Sequence, residues 1–150
     1  MTTEIAKKLS ANDVGETGGH QAGILVPREK TVLEFFPELD IAVKNPRQEL
    51  VVTELPAGNK WKFNYIYYNT KLLGLGTRNE YRLTGMTAFL RALNAKVGDE
   101  LRFSRDENHS YTVQLVRNGQ SPSQKSNDSV ATVGSDDVLT LSSGWRVIKR

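Results

Sequence analysis

Alternating aromatic side chains between Lys60 and Tyr68 (KWKFNYIYY) constrain the fold of this 150-residue chain more than any other segment. In an extended strand, successive side chains point to opposite faces of the sheet, so Trp61, Phe63 and Tyr65 share one face. Aromatic residues favour strands because they pack well on a pleated, half-buried surface. We therefore predict that this segment is a strand with one face in the core and the other partly exposed to water.

Several other segments have the composition of short strands. Glu49–Leu55 precedes the aromatic segment across the turn residues Pro-Ala-Gly-Asn, which is typical of a hairpin. Five more strands are predicted from apolar or alternating runs at residues 22–26, 77–82, 100–104, 110–117 and 145–149. About seven short strands with frequent turns indicate a sheet that closes on itself, because closure removes exposed strand edges.

Two short helices interrupt this pattern. Lys30–Phe36 has apolar residues with helical spacing and is followed by Pro37, which ends a helix. In Thr84–Leu93, apolar side chains repeat at i, i+3, i+4 and i+7, and Thr84 is a suitable N-cap. The predicted fold class is α+β and mainly β, a seven-stranded barrel-like fold with two short helices.

We expect a single domain over residues 1–150, because a chain of this length can bury a core without disulfides or metals. Residues 118–137 are polar and poor in large apolar groups, which predicts a polar loop within that domain. The N-terminus lacks the apolar core of a signal peptide, and no run approaches the ~20 apolar residues of a membrane span. We therefore expect a cytoplasmic protein.

A glycine-rich segment, Ala11–Gly23 (ANDVGETGGHQAG), has almost nothing to bury. It combines four glycines with six side chains that form hydrogen bonds. Segments of this kind lie at the surface and often carry function, so we predict that it contacts a ligand. An ordinary flexible loop is the alternative, since glycine also serves tight turns.

A second polar segment, residues 77–82 (TRNEYR), places Arg78, Glu80 and Arg82 at every other position. On a strand these three side chains share one face. Arginine donates to guanine and a carboxylate accepts from cytosine, so such a face can read a G·C pair from its edge. The alternative is a solvated strand whose ion pairs contribute little to stability. The formal net charge of +3 permits nucleic acid as a partner without arguing for it.

The sequence lacks the usual catalytic motifs. Neither of the two histidines, His20 and His109, has a second histidine at metal-ligand spacing, and there is no cysteine. No Asp or Glu is followed two positions later by Lys, a pattern common in metal-dependent nucleases. The glycine-rich segments also lack the lysine of a phosphate-binding loop. We predict no active site, no metal and no cofactor in this chain.

Two segments carry a resemblance to a known family. Residues 11–23, followed by a short strand and Pro27, and then Ile66–Thr84 (IYYNTKLLGLGTRNEYRLT) are similar to the N-terminal DNA-binding domain of EcoRII-type restriction endonucleases. The resemblance implies a DNA-binding pseudobarrel related to the DNA-binding domains of plant auxin-response factors. Such domains clamp the major groove between an N-arm and a C-arm, which correspond to these two segments.

The resemblance also implies DNA contacts. His20 lies at the position of an arm histidine, and Arg78, Glu80 and Arg82 lie at polar positions of the C-arm. We expect the N-arm to contact one half-site and the C-arm the other, with nearby lysines on phosphates. The residues expected to contact DNA are Lys8, Ser10, Asn12, Asp13, Thr17, His20, Gln21, Lys71, Arg78, Asn79, Glu80, Tyr81 and Arg82.

Three positions depart from the family pattern. Gly76 stands where the family has a basic residue, and Tyr81 stands where it has a lysine. Leu25 stands where a tyrosine is expected shortly after the N-arm. Lys71 could supply the phosphate contact that a glycine at position 76 lacks.

The sequence thus predicts a monomeric domain that binds double-stranded DNA at a short C·G-rich site. The resemblance implies a site of the CC(A/T)GG or CCNGG kind, and a role as the recognition or effector domain of a type II restriction endonuclease whose nuclease domain is separate. Two alternatives remain open. One is a small complete nuclease with an unrecognised active site, and the other is a protein-interaction or carbohydrate-binding module on a small barrel.

Overall fold

Strands make up most of the ordered elements in the computed structural model, which describes residues 2–15, 23–119, 139–140 and 144–149. Within these ranges there are nine strands and two helices. The strands are β1 (Thr3–Lys8), β2 (Ile24–Val26), β3 (Arg47–Leu55), β4 (Lys60–Tyr68), β5 (Glu80–Thr84), β6 (Glu100–Arg105), β7 (Tyr111–Val116), β8 (Leu139–Thr140) and β9 (Trp145–Lys149). The helices are α1 (Lys30–Leu33) and α2 (Thr87–Ala92).

All nine strands join one sheet in the order β2-β5-β4-β3-β7-β6-β1-β9-β8. Neighbouring strands are antiparallel except β3 and β7, which run parallel. The aromatic segment forms β4, between β3 and β5, and the predicted hairpin with β3 is present. The N-arm therefore leads into an edge strand, β2, and the C-arm joins β4 to the strand that pairs with β2.

The sheet curls so that strands far apart in its order meet across the core. Phe36 stacks on Tyr65 of β4, with ring centroids 4.5 Å apart, and meets Trp145 of β9 edge-on at 6.5 Å. The indole Nε1 of Trp145 also donates to the carbonyl oxygen of Leu25 in β2 at 2.9 Å. Because β2 is one edge of the sheet and β9 lies next to the other, this hydrogen bond links the two ends of the curled sheet.

The core fills the inside of this curled sheet. Its largest members, including Trp145, Phe35, Phe63 and Phe89, have no exposed surface. Helix α1 and the turn after it carry Phe35 into the barrel, and Arg105 of β6 donates to the carbonyl oxygens of the same turn at 2.8 and 2.9 Å. These two hydrogen bonds hold the turn after α1 against β6.

The strands exceed the predicted seven by two, β1 and β8. The sequence did not indicate β1 because Ile5, Ala6 and Lys7 are buried in succession, between β6 and β9, and show no alternation. Most of the predicted polar loop, residues 120–138, lies outside the described residues. No helix in the described ranges is long and apolar enough to cross a membrane.

The helices are shorter than predicted. Helix α1 ends at Leu33, three residues before Phe36. Helix α2 begins at Thr87 with Met86 as N-cap, so the prediction that Thr84 caps it is wrong. Thr84 is the last residue of β5, and Gly85, with φ of +77°, turns the chain between strand and helix.

Phe89 of α2 tests the packing of this core. Its ring meets Trp61 and Phe63 at centroid distances of 5.4 and 5.3 Å. Phe89→Ala should lower the free energy of unfolding by about 3–5 kcal/mol, because the cavity cannot fully collapse. Leu55→Ala, at an exposed position, should change it by no more than about 0.5 kcal/mol. Urea unfolding of both variants checks this, and equal midpoints would contradict it.

Candidate nucleic-acid interface

Arg78, Glu80 and Arg82 form a connected group, which we term the C-arm cluster. Glu80 Oε2 accepts from Arg78 Nη2 at 2.9 Å and also from Arg82 Nε. The three side chains therefore share one face, as the sequence predicted. Arg82 Nη1 donates further to the carbonyl oxygen of Gly23, at 3.1 Å, where the N-arm ends.

Arg78 is the most exposed member of the C-arm cluster. Its guanidinium lies 3.8 Å from the centroid of the Tyr68 ring, a cation–π contact on the strand that pairs with β5. Its side chain is 46% exposed, compared with 28% for Glu80 and 20% for Arg82. The Arg78 side chain is thus oriented by two partners while still facing water.

Ionisation of Glu80 is favoured by its neighbours. Hydrogen bonding from Arg82, and then from Arg78, holds the pKa of Glu80 below its ordinary value, although partial burial opposes this shift. At neutral pH the carboxylate is charged and accepts hydrogen bonds only. It therefore fixes both guanidinium groups on one face of the strand.

The other face of the C-arm strand points into the protein. Asn79 Oδ1 accepts from the Tyr67 hydroxyl at 2.7 Å. The Tyr81 ring stacks on Tyr67 at a centroid distance of 4.2 Å, and burial raises the pKa of Tyr81. Strand alternation explains this placement, because positions 79 and 81 face opposite to 78, 80 and 82. The side chains of Asn79 and Tyr81 are therefore engaged inside the fold.

The C-arm loop, residues 69–79, is anchored by a buried asparagine that was missed in the sequence analysis, because no local pattern distinguishes it. Asn69 has no exposed surface. Its Nδ2 donates to the carbonyl oxygens of Ile41 and Val43 at 3.0 and 2.8 Å, and its Oδ1 accepts from Asn45 N at 2.8 Å. Lys71 is exposed, and its backbone N–H donates to the Arg78 carbonyl oxygen at 2.8 Å.

At the foot of the N-arm, Ser10 and Asp13 hold each other in a tight turn. Ser10 N donates to Asp13 Oδ2 at 2.9 Å, and Asp13 N donates to Ser10 Oγ at 3.2 Å. Lys7 Nζ lies 3.1 Å from Asp13 Oδ2, and both side chains are only 7% exposed. The Asp13 carboxylate is thus part of a buried ion pair that secures the start of the N-arm to β1.

Five further residues in or near the N-arm are predicted to contact DNA, and the structure describes two of them. Lys8 and Asn12 are exposed at the start of the N-arm. Thr17, His20 and Gln21 lie outside the described residues.

The N-arm ends where the chain passes close to β5. Gly23 has φ of +95°, and a Cβ there would lie 2.3 Å from the Leu83 carbonyl oxygen. Glycine is therefore required at this position, since any side chain would clash with the β5 backbone. The close approach brings the end of the N-arm beside the C-arm cluster.

Within the described part of the chain, no group of three His, Cys, Asp or Glu side chains could hold a metal ion. Exposed cationic groups in the described ranges include Arg78 of the C-arm cluster, Lys71 in the C-arm loop and Lys8 at the end of β1. Cations beside an ionised carboxylate suit a ligand with both phosphate groups and hydrogen-bonding base edges.

Comparison with known proteins identifies the family to which this chain belongs. The model of the N-terminal domain of the restriction endonuclease EcoRII matches residues 2–118, and the chain belongs to that family. The resemblance noted from the two arm segments is thereby confirmed. Auxin response factor 11 of Oryza sativa subsp. indica is 36% identical over 106 residues, covering 71% of this chain and 10% of that protein. The chain spans 10–18% of the length of the curated auxin response factors it matches.

Solved structures share the fold. The Arabidopsis FUS3–DNA complex matches with a TM-score of 0.59 and 20% identity, covering 76% of this chain and 96% of that chain. The B3 domain of the UbaLAI restriction endonuclease, solved with cognate DNA, matches with a TM-score of 0.54 and 23% identity, covering 79% and 69%. The predicted mainly-β pseudobarrel class is confirmed, whereas the extent of the domain and the individual DNA contacts stay predictions.

The buried pair at the foot of the N-arm gives a stability prediction. Asp13→Ala should lower the free energy of unfolding by about 3–5 kcal/mol, because it leaves the Lys7 charge buried without this partner. Lys7→Met combined with Asp13→Leu should cost less than Asp13→Ala alone, since neither charge then remains. Urea unfolding at neutral pH measures both, and a costlier double variant would contradict the role of the pair.

The C-arm cluster gives a pH prediction. Glu80 has a lower pKa folded than unfolded, so its pairing contributes stability above about pH 4.3, the ordinary glutamate pKa, and loses it as the pH falls through the lower folded pKa. In Arg82→Ala, the NMR titration of the Glu80 carboxyl should move to higher pH. Glu100, which pairs with Arg146 at 2.7 Å on the far side of the sheet, is the control. An unchanged Glu80 titration would contradict the assignment.

Proposed function

We propose that this chain is a sequence-specific double-stranded DNA-binding domain that reads a short C·G-rich site in the major groove. The observation that carries the proposal is the C-arm cluster, in which one ionised carboxylate holds two arginines on one exposed face. Its position beside the end of the N-arm, in a chain of the EcoRII N-terminal family, supports a joint binding surface.

The C-arm cluster supplies the base readout. Arginine has five N–H donors, and the described bonds of Arg78 use one of them, so several remain for guanine O6 and N7. Both described bonds to the Glu80 carboxylate use Oε2, which leaves Oε1 to accept from cytosine N4. Arg82 contacts a second guanine while it stays tied to the Gly23 carbonyl.

The N-arm reads the other half-site in this proposal. Asn12, Thr17, His20 and Gln21 contact bases or sugars, and the exposed Lys8 and Lys71 hold phosphates and set the register. Ser10, Asp13, Asn79 and Tyr81, which the sequence predicts to contact DNA, have partners within the chain. Because these side chains hydrogen-bond, pair or stack with neighbouring residues, we propose that they also position the two arms, and their contact with DNA stays a prediction.

Two solved structures with a similar fold contain DNA, which supports this assignment. FUS3 is bound to DNA, and the UbaLAI B3 domain is bound to its cognate DNA. Following the family, we propose a site of the CC(A/T)GG or CCNGG kind. We further propose that the domain acts as a monomer in the cytoplasm, as the recognition or effector part of a type II restriction endonuclease with a separate nuclease domain.

A binding selection from randomised duplexes tests the function directly. We expect enrichment of a short C·G-rich site, and retardation in a gel of a CCTGG duplex but not of a scrambled one. Absence of any sequence preference would overturn the proposal. Incubation of the chain with plasmid and magnesium tests the nuclease alternative. Cleavage that disappears when an acidic residue is replaced would show that the chain has an active site.

Alanine variants separate base readout from phosphate binding. Arg78→Ala should cost about 1–3 kcal/mol on the selected duplex and relax base preference at one position. Lys8→Ala should weaken binding to all sequences equally and reduce the salt dependence. Lys60→Ala is the matched control, because Lys60 lies at the opposite end of β4 from the C-arm and should change neither. Equal losses on selected and random duplexes for Arg78→Ala would contradict its role.

A further inference from the structure

The C-arm loop presents two leucines to solvent. Leu75 is 66% exposed and Leu72 is 55% exposed, the highest values among the large hydrophobic side chains of the described residues. Single exposed leucines are ordinary on protein surfaces. The meaning of this pair therefore depends on the loop that carries it.

Hydrogen bonds give the loop a defined shape. Leu75 N and Gly76 N donate to the Thr70 carbonyl oxygen at 2.8 and 3.2 Å. Arg78 N donates to Thr70 Oγ1 at 3.2 Å. A Cβ at position 76 would lie 2.9 Å from the same Oγ1, so the loop packs tightly on itself. The leucines are thus held in water by a formed loop, at a cost that contact with a partner would offset.

The charges of the loop indicate the partner. Residues 69–79 include Lys71 and Arg78 and contain no Asp or Glu. A surface that is both apolar and basic, continuous with the C-arm cluster, suits a duplex, which offers phosphates together with apolar base edges. In the major groove that apolar group is the C5 methyl of thymine.

We propose that Leu72 and Leu75 contact thymine methyl groups and extend base readout beyond the C·G pairs. The inference rests on the proposed function, because it requires Arg78 in the major groove. The loop then has two roles, with Lys71 on a phosphate and the leucines on bases next to those read by the C-arm cluster.

Replacement of thymine by deoxyuridine tests this contact, because it removes the methyl group and leaves the hydrogen-bonding pattern unchanged. The duplex selected by the complete chain is prepared with each thymine of the site and its flanks replaced in turn. We expect at least one replacement to weaken binding about three- to fivefold, the value for one buried methyl-sized group.

Leucine variants identify the side chain responsible. Leu75→Ala or Leu72→Ala should bind the thymine duplex more weakly and lose the sensitivity to deoxyuridine at that position. Leu55→Ala is the matched control, since Leu55 ends β3 about 26 Å along the strand from Arg47 at the C-arm end. It should keep the full sensitivity. Unchanged thermal melting confirms that each variant is folded.

The outcomes distinguish this inference from the function on which it rests. A selected duplex that shows no deoxyuridine effect overturns the methyl contact and leaves sequence-specific binding intact. Leucine variants that retain the full deoxyuridine effect overturn it as well. A loss that is the same on thymine and deoxyuridine duplexes assigns the leucines to a wedge or backbone contact and also overturns it. A selection without any preferred sequence overturns the proposed function itself.

Discussion

The bond between Glu80 and Arg82 is the interaction on which the connection between the C-arm and the end of the N-arm depends. Arg82 links the Glu80 carboxylate to the carbonyl oxygen of Gly23, and so connects the strand of the C-arm to the end of the N-arm. Charge-assisted hydrogen bonds of this kind are shorter and stronger than neutral ones, particularly where water is partly excluded. A single carboxylate thereby sets the orientation of both arginines beside Gly23, where the N-arm ends.

The fold supports this arrangement from both ends of the sheet. Trp145 links the two ends of the curled sheet by donating to the carbonyl oxygen of Leu25, which pairs with Arg82 across β2 and β5. On the opposite side, the buried Lys7–Asp13 pair fixes where the N-arm leaves β1. Buried ion pairs add little net stability, because desolvation offsets their attraction. Their value here lies in holding the turn at Ser10–Asp13, where the N-arm leaves β1.

The spacing of apolar and polar residues within one segment was enough to predict several helices and strands. The alternation in β4 predicted buried side chains, and so did the helical spacing that includes Phe89 and Leu90. The shared face of the C-arm cluster followed from strand geometry alone. Contacts between distant segments were not accessible in this way. Asn69 bonds to residues 24 to 28 positions away, and Trp145 bonds to one 120 positions away, so nothing near either residue indicates its partner.

Two of the three departures from the expected family pattern, Tyr81 and Gly76, have a physical account in this chain. Tyr81, in place of a lysine, stacks on both Tyr67 and Tyr65 and gives up a surface charge for packing. Gly76, in place of a basic residue, fits against Thr70, where any side chain would require the loop to shift. Leu25 is 43% exposed opposite Arg82. Two cations are thus replaced by packing and by a compact loop, which leaves Lys71, Arg78 and Arg82 as the cations of the C-arm. Under the proposed function, a surface with fewer charges depends less on phosphate attraction, so we expect base contacts to supply a larger share of the binding free energy.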